Sequence, residues 1–129
     1  MCAVKHFLFV TILISSIPAG QSARAAEAPD PYARLAICVG RFSALLEHQW
    51  LIGGADANAT ATARQTMLNL LDTAPMSDPV AQLARRIEAK QLLARVLQRA
   101  DLATASREKF MARARADHEI GECTALILG

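Results

Sequence analysis

The chain has 129 residues, with 14 Lys and Arg against 12 Asp and Glu. This length allows one domain with a single modest hydrophobic core. The net charge of +2 gives little support to nucleic-acid binding, which calls for a strongly basic surface.

The first 25 residues are predicted to be a cleavable secretory signal peptide. Lys5 precedes a mostly apolar stretch of 11 residues, 7–17. This stretch has the length of a signal-peptide core and is shorter than the roughly 20 residues that a membrane-spanning helix needs. A small-x-small motif at 23–25 predicts cleavage after residue 25, with an uncleaved anchor as the alternative. The mature chain would then be one helical domain, residues 26–129.

Cleavage would change the charge balance of the chain. It removes Lys5 and Arg24, which leaves 12 basic and 12 acidic residues. Nine Lys and Arg but only three acidic residues lie in the segment 80–116, so this segment carries +6 and the rest of the mature chain −6. The composition is rich in Ala and Arg, which is typical of GC-rich bacterial genomes. We therefore expect a periplasmic or secreted protein without a nucleic-acid partner.

Apolar residues recur with helical spacing, and no alternating stretch indicates a strand. A first helix is predicted to begin at Asp30-Pro31, an N-cap followed by proline, and to end at Gly53-Gly54. A second should begin at 56–58 and run to about Leu71, before Pro75. Their predicted apolar faces contain Leu35, Cys38, Phe42, Leu45, Leu46, Trp50, Ala63, Met67, Leu70 and Leu71.

A third helix is predicted to open at Ser77-Asp78-Pro79, in the same way as the first. A fourth should begin between Asp101 and Ser106 and end near Ile127, although the third and fourth helices could instead be one bent helix. The predicted face of the third contains Val80, Leu83, Ile87, Leu93, Ala94, Val96 and Leu97. The fourth has one predicted face of Phe110, Met111, Ala114, Gly121 and Ala125 and a second stripe of Ile120, Cys123 and Ile127.

Four helices joined by short loops predict an all-α fold, an antiparallel four-helix bundle. The short loop 74–78 favours the second and third helices as neighbours. Two cysteines, Cys38 and Cys123, remain in the mature chain, and in an exported small domain such a pair is most simply a disulfide. In an antiparallel bundle both lie within about 10 Å of the same end, at 1.5 Å per residue. Helices one and four would then be joined by a bond across 85 residues, worth about 4 to 5 kcal/mol in the chain-entropy model.

Other chemistry has little support in the residue pattern. A redox-active or metal-binding cysteine pair is the alternative to a structural disulfide, and His118, Glu119, Glu122 and Cys123 could gather around a metal ion. The spacing of His118 and Cys123 is poor for a shared ligand site, so we expect no metal and no cofactor. The serines lie in no recognisable catalytic motif and the carboxylates are scattered. We therefore expect that the protein is not an enzyme.

The basic segment 80–116 gives the most usable binding residues. Arg86 and Lys90 point toward the apolar side of the third helix, where a cation needs a partner or a route to water. Their heads could reach solvent while their stems cover the core. They could also pair with Glu47, Glu119 or Glu122, or line a pocket for an anionic ligand. A separate outward stripe is formed by Arg85, Arg95 and Arg99.

Two further residues complete the predicted partner-binding set of Arg86, Lys90, Arg113 and Trp50. Arg113 shares a face of the fourth helix with Lys109, which could be a patch for an acidic partner or a membrane surface. For Trp50 a core or capping role is favoured over a role as a binding anchor. For these cations of the fourth helix an ordinary solvated surface is favoured over such a patch.

The chain resembles small uncharacterised exported helical proteins of alphaproteobacteria. The resemblance lies in the stretch 38–51, CVGRFSALLEHQWL, and in the pair Glu122-Cys123 near the C-terminus. The resemblance implies no known activity. The sequence favours a non-catalytic periplasmic protein that binds a protein or envelope surface. The alternative is a small-ligand or metal carrier that uses the bundle interior near His118 and Cys123.

Overall fold

The computed structural model describes residues 30–75 and 78–129; the predicted signal peptide and its cleavage site lie outside these ranges. The described residues form four helices and no strand, which confirms the all-α prediction. The helices are α1 (Pro31–Ile52), α2 (Ala57–Asp72), α3 (Pro79–Leu102) and α4 (Ser106–Leu128). None of them is both long and apolar enough to cross a membrane.

The helix ends follow from local capping chemistry. The carboxylate of Asp30 accepts a hydrogen bond from the Tyr32 amide (3.0 Å), and that of Asp78 accepts one from the Ala81 amide (2.9 Å). In both cases a proline follows the cap, where its missing N–H costs nothing. Gly53 ends α1 with a left-handed backbone. These boundaries confirm the sequence prediction to within one or two residues.

Helices α3 and α4 are separate helices joined by residues 103–105. The Arg99 guanidinium lies 3.3 Å from the Glu108 carboxylate, across this turn. The bent single helix that the sequence left open is therefore not what forms.

Helix α1 is the centre of the bundle, since it packs against each of the other three helices. It approaches α3 closely at Gly40, whose missing side chain leaves room for the main chain of Arg86. The His48 imidazole reaches Asp101 at the far end of α3 (3.1 Å), so α1 and α3 run in the same direction. Helices α2 and α4 run against them, as the predicted up-down order requires.

The prediction that α2 and α3 are neighbours is wrong. Their described residues do not pack on each other, although the loop that joins them is short. Both helices pack on α1 instead, and α3 approaches α1 closely at Gly40. Of the two helices that adjoin it in sequence, α2 packs against α1 and not against α3. The space between α2 and α3 is open.

The core consists of two clusters on opposite parts of α1. One surrounds the disulfide and includes Phe42, Met67 and Leu71. The other joins α1, α3 and α4 through Ala44, Leu93 and two alanines of α4. Both are small, in keeping with an alanine-rich chain.

Several predicted core residues lie outside these clusters. The first half of the predicted α3 face is exposed, because α2 does not cover it; these residues are Val80, Leu83 and Ile87. On α4, the buried positions are Ala112, Ala116 and Cys123, so the predicted face containing Phe110 and Met111 is wrong. Small alanines allow α4 to approach α3 closely, whereas the larger side chains point outward. The second predicted stripe, Ile120, Cys123 and Ile127, is buried or half-buried as expected.

Candidate functional site: a basic groove between the second and third helices

A groove of about 330 Å³ lies in the open space between α2 and α3, with α1 as its floor. Its volume is at the lower end of the range for ligand sites. The floor is formed by residues of α1 at helical spacing and the wall of α3 by four residues that share one face. The lining residues are Gly40, Ser43, Leu46, Glu47, Trp50, Arg64, Leu83, Arg86, Ile87 and Lys90.

The groove contains more positive than negative charge. Lys90 forms an ion pair with Glu47 (2.6 Å), which is the one carboxylate in the lining. The Nε of Arg64 donates to the Ser43 hydroxyl (2.8 Å), and Arg64 forms no ion pair in the described part of the chain. Arg86 forms neither an ion pair nor a side-chain hydrogen bond among residues 30–75 and 78–129. Three cations and one carboxylate leave two positive charges in excess.

Exposed apolar side chains lie beside these charges. Trp50 is 65% exposed, Leu83 53% and Ile87 49%. The predicted core or capping role of Trp50 is therefore wrong: it lies in the last turns of α1 and is mostly exposed at the edge of the groove. Exposed aromatic and aliphatic groups next to unpaired guanidinium groups are the combination that binding surfaces favour.

The structure brings together three of the four residues predicted to bind a partner. Trp50, Arg86 and Lys90 all line the groove, whereas Arg113 is exposed on α4 and does not. The predicted pairing of Lys90 with Glu47 is present. The outward stripe is also separate from the groove, and its Arg99 is engaged with Glu108.

Two of the groove residues were not identified from the sequence. Arg64 is the only charged residue of α2 before its final Asp72. Such an isolated cation was the one sequence feature that could have identified it as a candidate binding residue. Gly40 gave no signal, because a glycine within a helix can have many causes.

Glu119 and Glu122, the other acids considered for Arg86 and Lys90, pair with Arg41 instead. The Arg41 guanidinium lies 3.0 Å from Glu122 and 3.5 Å from Glu119, and also contacts the Cys123 sulfur at 3.8 Å. This group covers the disulfide, where a second cleft of about 170 Å³ lies.

The disulfide joins Cys38 of α1 to Cys123 of α4, with their Cα atoms 5.4 Å apart. It confirms the predicted link between the first and fourth helices. It also occupies the sulfur that a metal site near His118 would need, and the described residues contain no group of three metal-ligating side chains. His118 is exposed and lies 3.7 Å from Glu122.

Comparison of the chain with protein-family models, with curated proteins and with solved structures found no match.

Proposed function

We propose that the protein is an exported, non-catalytic binding protein that holds an acidic segment of a protein partner in the groove between α2 and α3. The observation that supports this is the excess of two positive charges in a concave site whose rim is apolar.

The charge pattern favours carboxylates. Guanidinium groups bind carboxylates through paired hydrogen bonds, and these are stronger than hydrogen bonds between neutral groups. Arg86 and the terminal nitrogens of Arg64 are available for such bonds. Trp50, Leu83 and Ile87 would supply the apolar contact area that turns electrostatic attraction into stable binding.

The groove offers contacts rather than catalytic groups. Its one hydroxyl nucleophile, Ser43, donates to the Val39 carbonyl (2.7 Å) and accepts from Arg64, so neither contact is with a base that could activate it. The disulfide is consistent with an oxidising compartment, which supports the proposed location in the periplasm or outside the cell.

The test is photocrosslinking in the cells that make the protein. A photoreactive amino acid replaces Leu83 at the groove, or Leu92 on the same helix outside it, as the matched control; the two leucines are similarly exposed, at 53% and 44%. We expect a discrete protein adduct from position 83 that position 92 does not give. The adduct should be lost in an Arg86→Glu/Lys90→Glu background and kept in an Arg95→Glu/Arg107→Glu background.

Either of two results would overturn the proposal. One is the absence of any adduct from position 83. The other is an adduct that survives charge reversal in the groove. Thermal unfolding by circular dichroism establishes that the variants are folded.

A further inference from the structure

The α3 wall of the groove has the pattern of a helix face from which a neighbouring helix is missing. Leu83, Arg86, Ile87 and Lys90 have the spacing i, i+3, i+4, i+7, which places them along one face of α3. The true core face of α3 is a different one, centred on Ala89, Leu93 and Val96. In a bundle with α2 against α3 this second face would be covered, but here α2 packs elsewhere.

From this face we infer that the bound segment is an amphipathic α-helix with one row of apolar residues and one row of carboxylates. The inference rests on the proposed function and names the class of partner. The apolar row would lie against Leu83 and Ile87, and the carboxylates would reach Arg86, Lys90 and Arg64.

The dimensions of the groove agree with a helix. The lining residues of α1 extend from Gly40 to Trp50, about 15 Å at 1.5 Å per residue, and those of α3 span about 10 Å. Two to three helical turns would therefore lie over the groove. The volume of about 330 Å³ suits the side chains of such a helix, with its backbone above the rim.

The concave shape argues against a membrane surface as the occupant. Arg64 and Arg86 lie on opposite walls, and the floor between them contains Gly40, which has no side chain. A flat bilayer surface would touch the rim and leave these cations without contact, whereas side chains from a helix can enter between the walls. In helix-in-groove binding the bound helix inserts anchor side chains spaced i, i+3, i+4 and i+7.

The test uses synthetic peptides of about 18 residues, because shorter isolated helices are marginal in water. One peptide has a row of Leu and an adjacent row of Glu, each with the spacing i, i+3, i+4, i+7. Its matched control has Lys in place of every Glu. Neither contains Trp, so the emission of Trp50, the single tryptophan of the chain, reports binding directly. Circular dichroism follows the helicity of the peptide.

We expect the acidic peptide to bind, to shift Trp50 emission to shorter wavelength and to gain helicity. The Lys peptide should bind at least about tenfold more weakly, since it brings like charges together. Arg86→Glu/Lys90→Glu should weaken binding of the acidic peptide at least about tenfold, whereas Arg95→Glu/Arg107→Glu should change it less than about twofold.

Other outcomes overturn the inference. One is equal binding of the acidic and the Lys peptide. A second is binding of the acidic peptide without a gain in its helicity. A third is a Trp50 emission shift with decanoate or with phosphatidylglycerol vesicles but no shift with the acidic peptide. If a charge-dependent crosslink forms at position 83 while the acidic peptide fails to bind, the helical partner is wrong and the proposed function stands. If the crosslink also fails, both are wrong.

Discussion

Gly40 on α1 lies directly against the main-chain carbonyl of Arg86 on α3, and a Cβ at position 40 would overlap with that oxygen. The obstacle is backbone and cannot rotate away, so the contact sets the separation of the two helices. Both residues also line the groove, so this contact fixes how α1 and α3 meet at the base of the groove.

Gly40→Ala should therefore lower the free energy of unfolding by about 3 kcal/mol, since overpacking a tight contact forces the backbone to shift. The control is Gly121→Ala on α4, where a Cβ would meet no atom within 4 Å. That change should raise the free energy of unfolding by up to about 1 kcal/mol through helix propensity. Urea unfolding measures both, and a neutral Gly40→Ala would show that the helices are not held at this point.

Cys38→Ser/Cys123→Ser should lower the free energy of unfolding by about 2 to 5 kcal/mol, because the unfolded chain loses its covalent loop. Urea unfolding with and without reductant provides the measurement. Reductant should destabilise the natural protein and leave the double variant unchanged. Equal stability of the reduced and oxidised natural protein would contradict the expected contribution of the bond.

Gln82 on α3 is only 4% exposed, and its Oε1 lacks a hydrogen-bond partner in the described part of the chain. Burial of an unpartnered acceptor costs about 1 to 3 kcal/mol. Gln82→Met keeps a similar unbranched shape and should raise the free energy of unfolding by about 1 kcal/mol or more. The control is Gln98→Met, at an exposed position of the same helix, which should leave stability nearly unchanged. A loss of stability in Gln82→Met would mean that the amide makes a favourable contact.

Glu47→Gln should tighten binding of an acidic ligand in the groove. Glu47 holds Lys90 at 2.6 Å and so competes with the carboxylates of the ligand. A partly exposed ion pair is worth about 0.2 to 1 kcal/mol, so affinity should rise by up to about fivefold. Titration of Trp50 emission measures the affinity, and Glu88→Gln, outside the groove, is the control. Weaker binding in Glu47→Gln would show that Glu47 positions Lys90 for the ligand.

The sequence predicts the helix boundaries well because their causes are local. Asp30 and Asp78 each precede a proline, and Gly53 provides the left-handed end of α1. The disulfide is also predictable, since only two cysteines lie outside the predicted signal peptide. Each of these features depends on residues close in sequence or on composition.

The groove could not be predicted in the same way. Leu83 and Ile87 have the apolar spacing of a core face, but whether a face is covered depends on where a distant helix packs. The contact that brings α3 onto α1 is also distant in sequence, since Gly40 lies forty-six residues before Arg86. Burial in the first half of α4 is equally unpredictable from hydropathy, because close packing selects Ala112 and Ala116 over the larger Phe110 and Met111.

The disulfide would hold the groove residues in one molecule after proteolytic cleavage between α2 and α3. Every residue that lines the groove lies between Cys38 and Cys123 in the sequence. If a protease cut the loop between α2 and α3, Arg64 would remain attached through Cys38, and Arg86 and Lys90 through Cys123. The nicked protein would still be one covalent molecule with both walls of the groove, and only reduction of the bond would let the fragments separate.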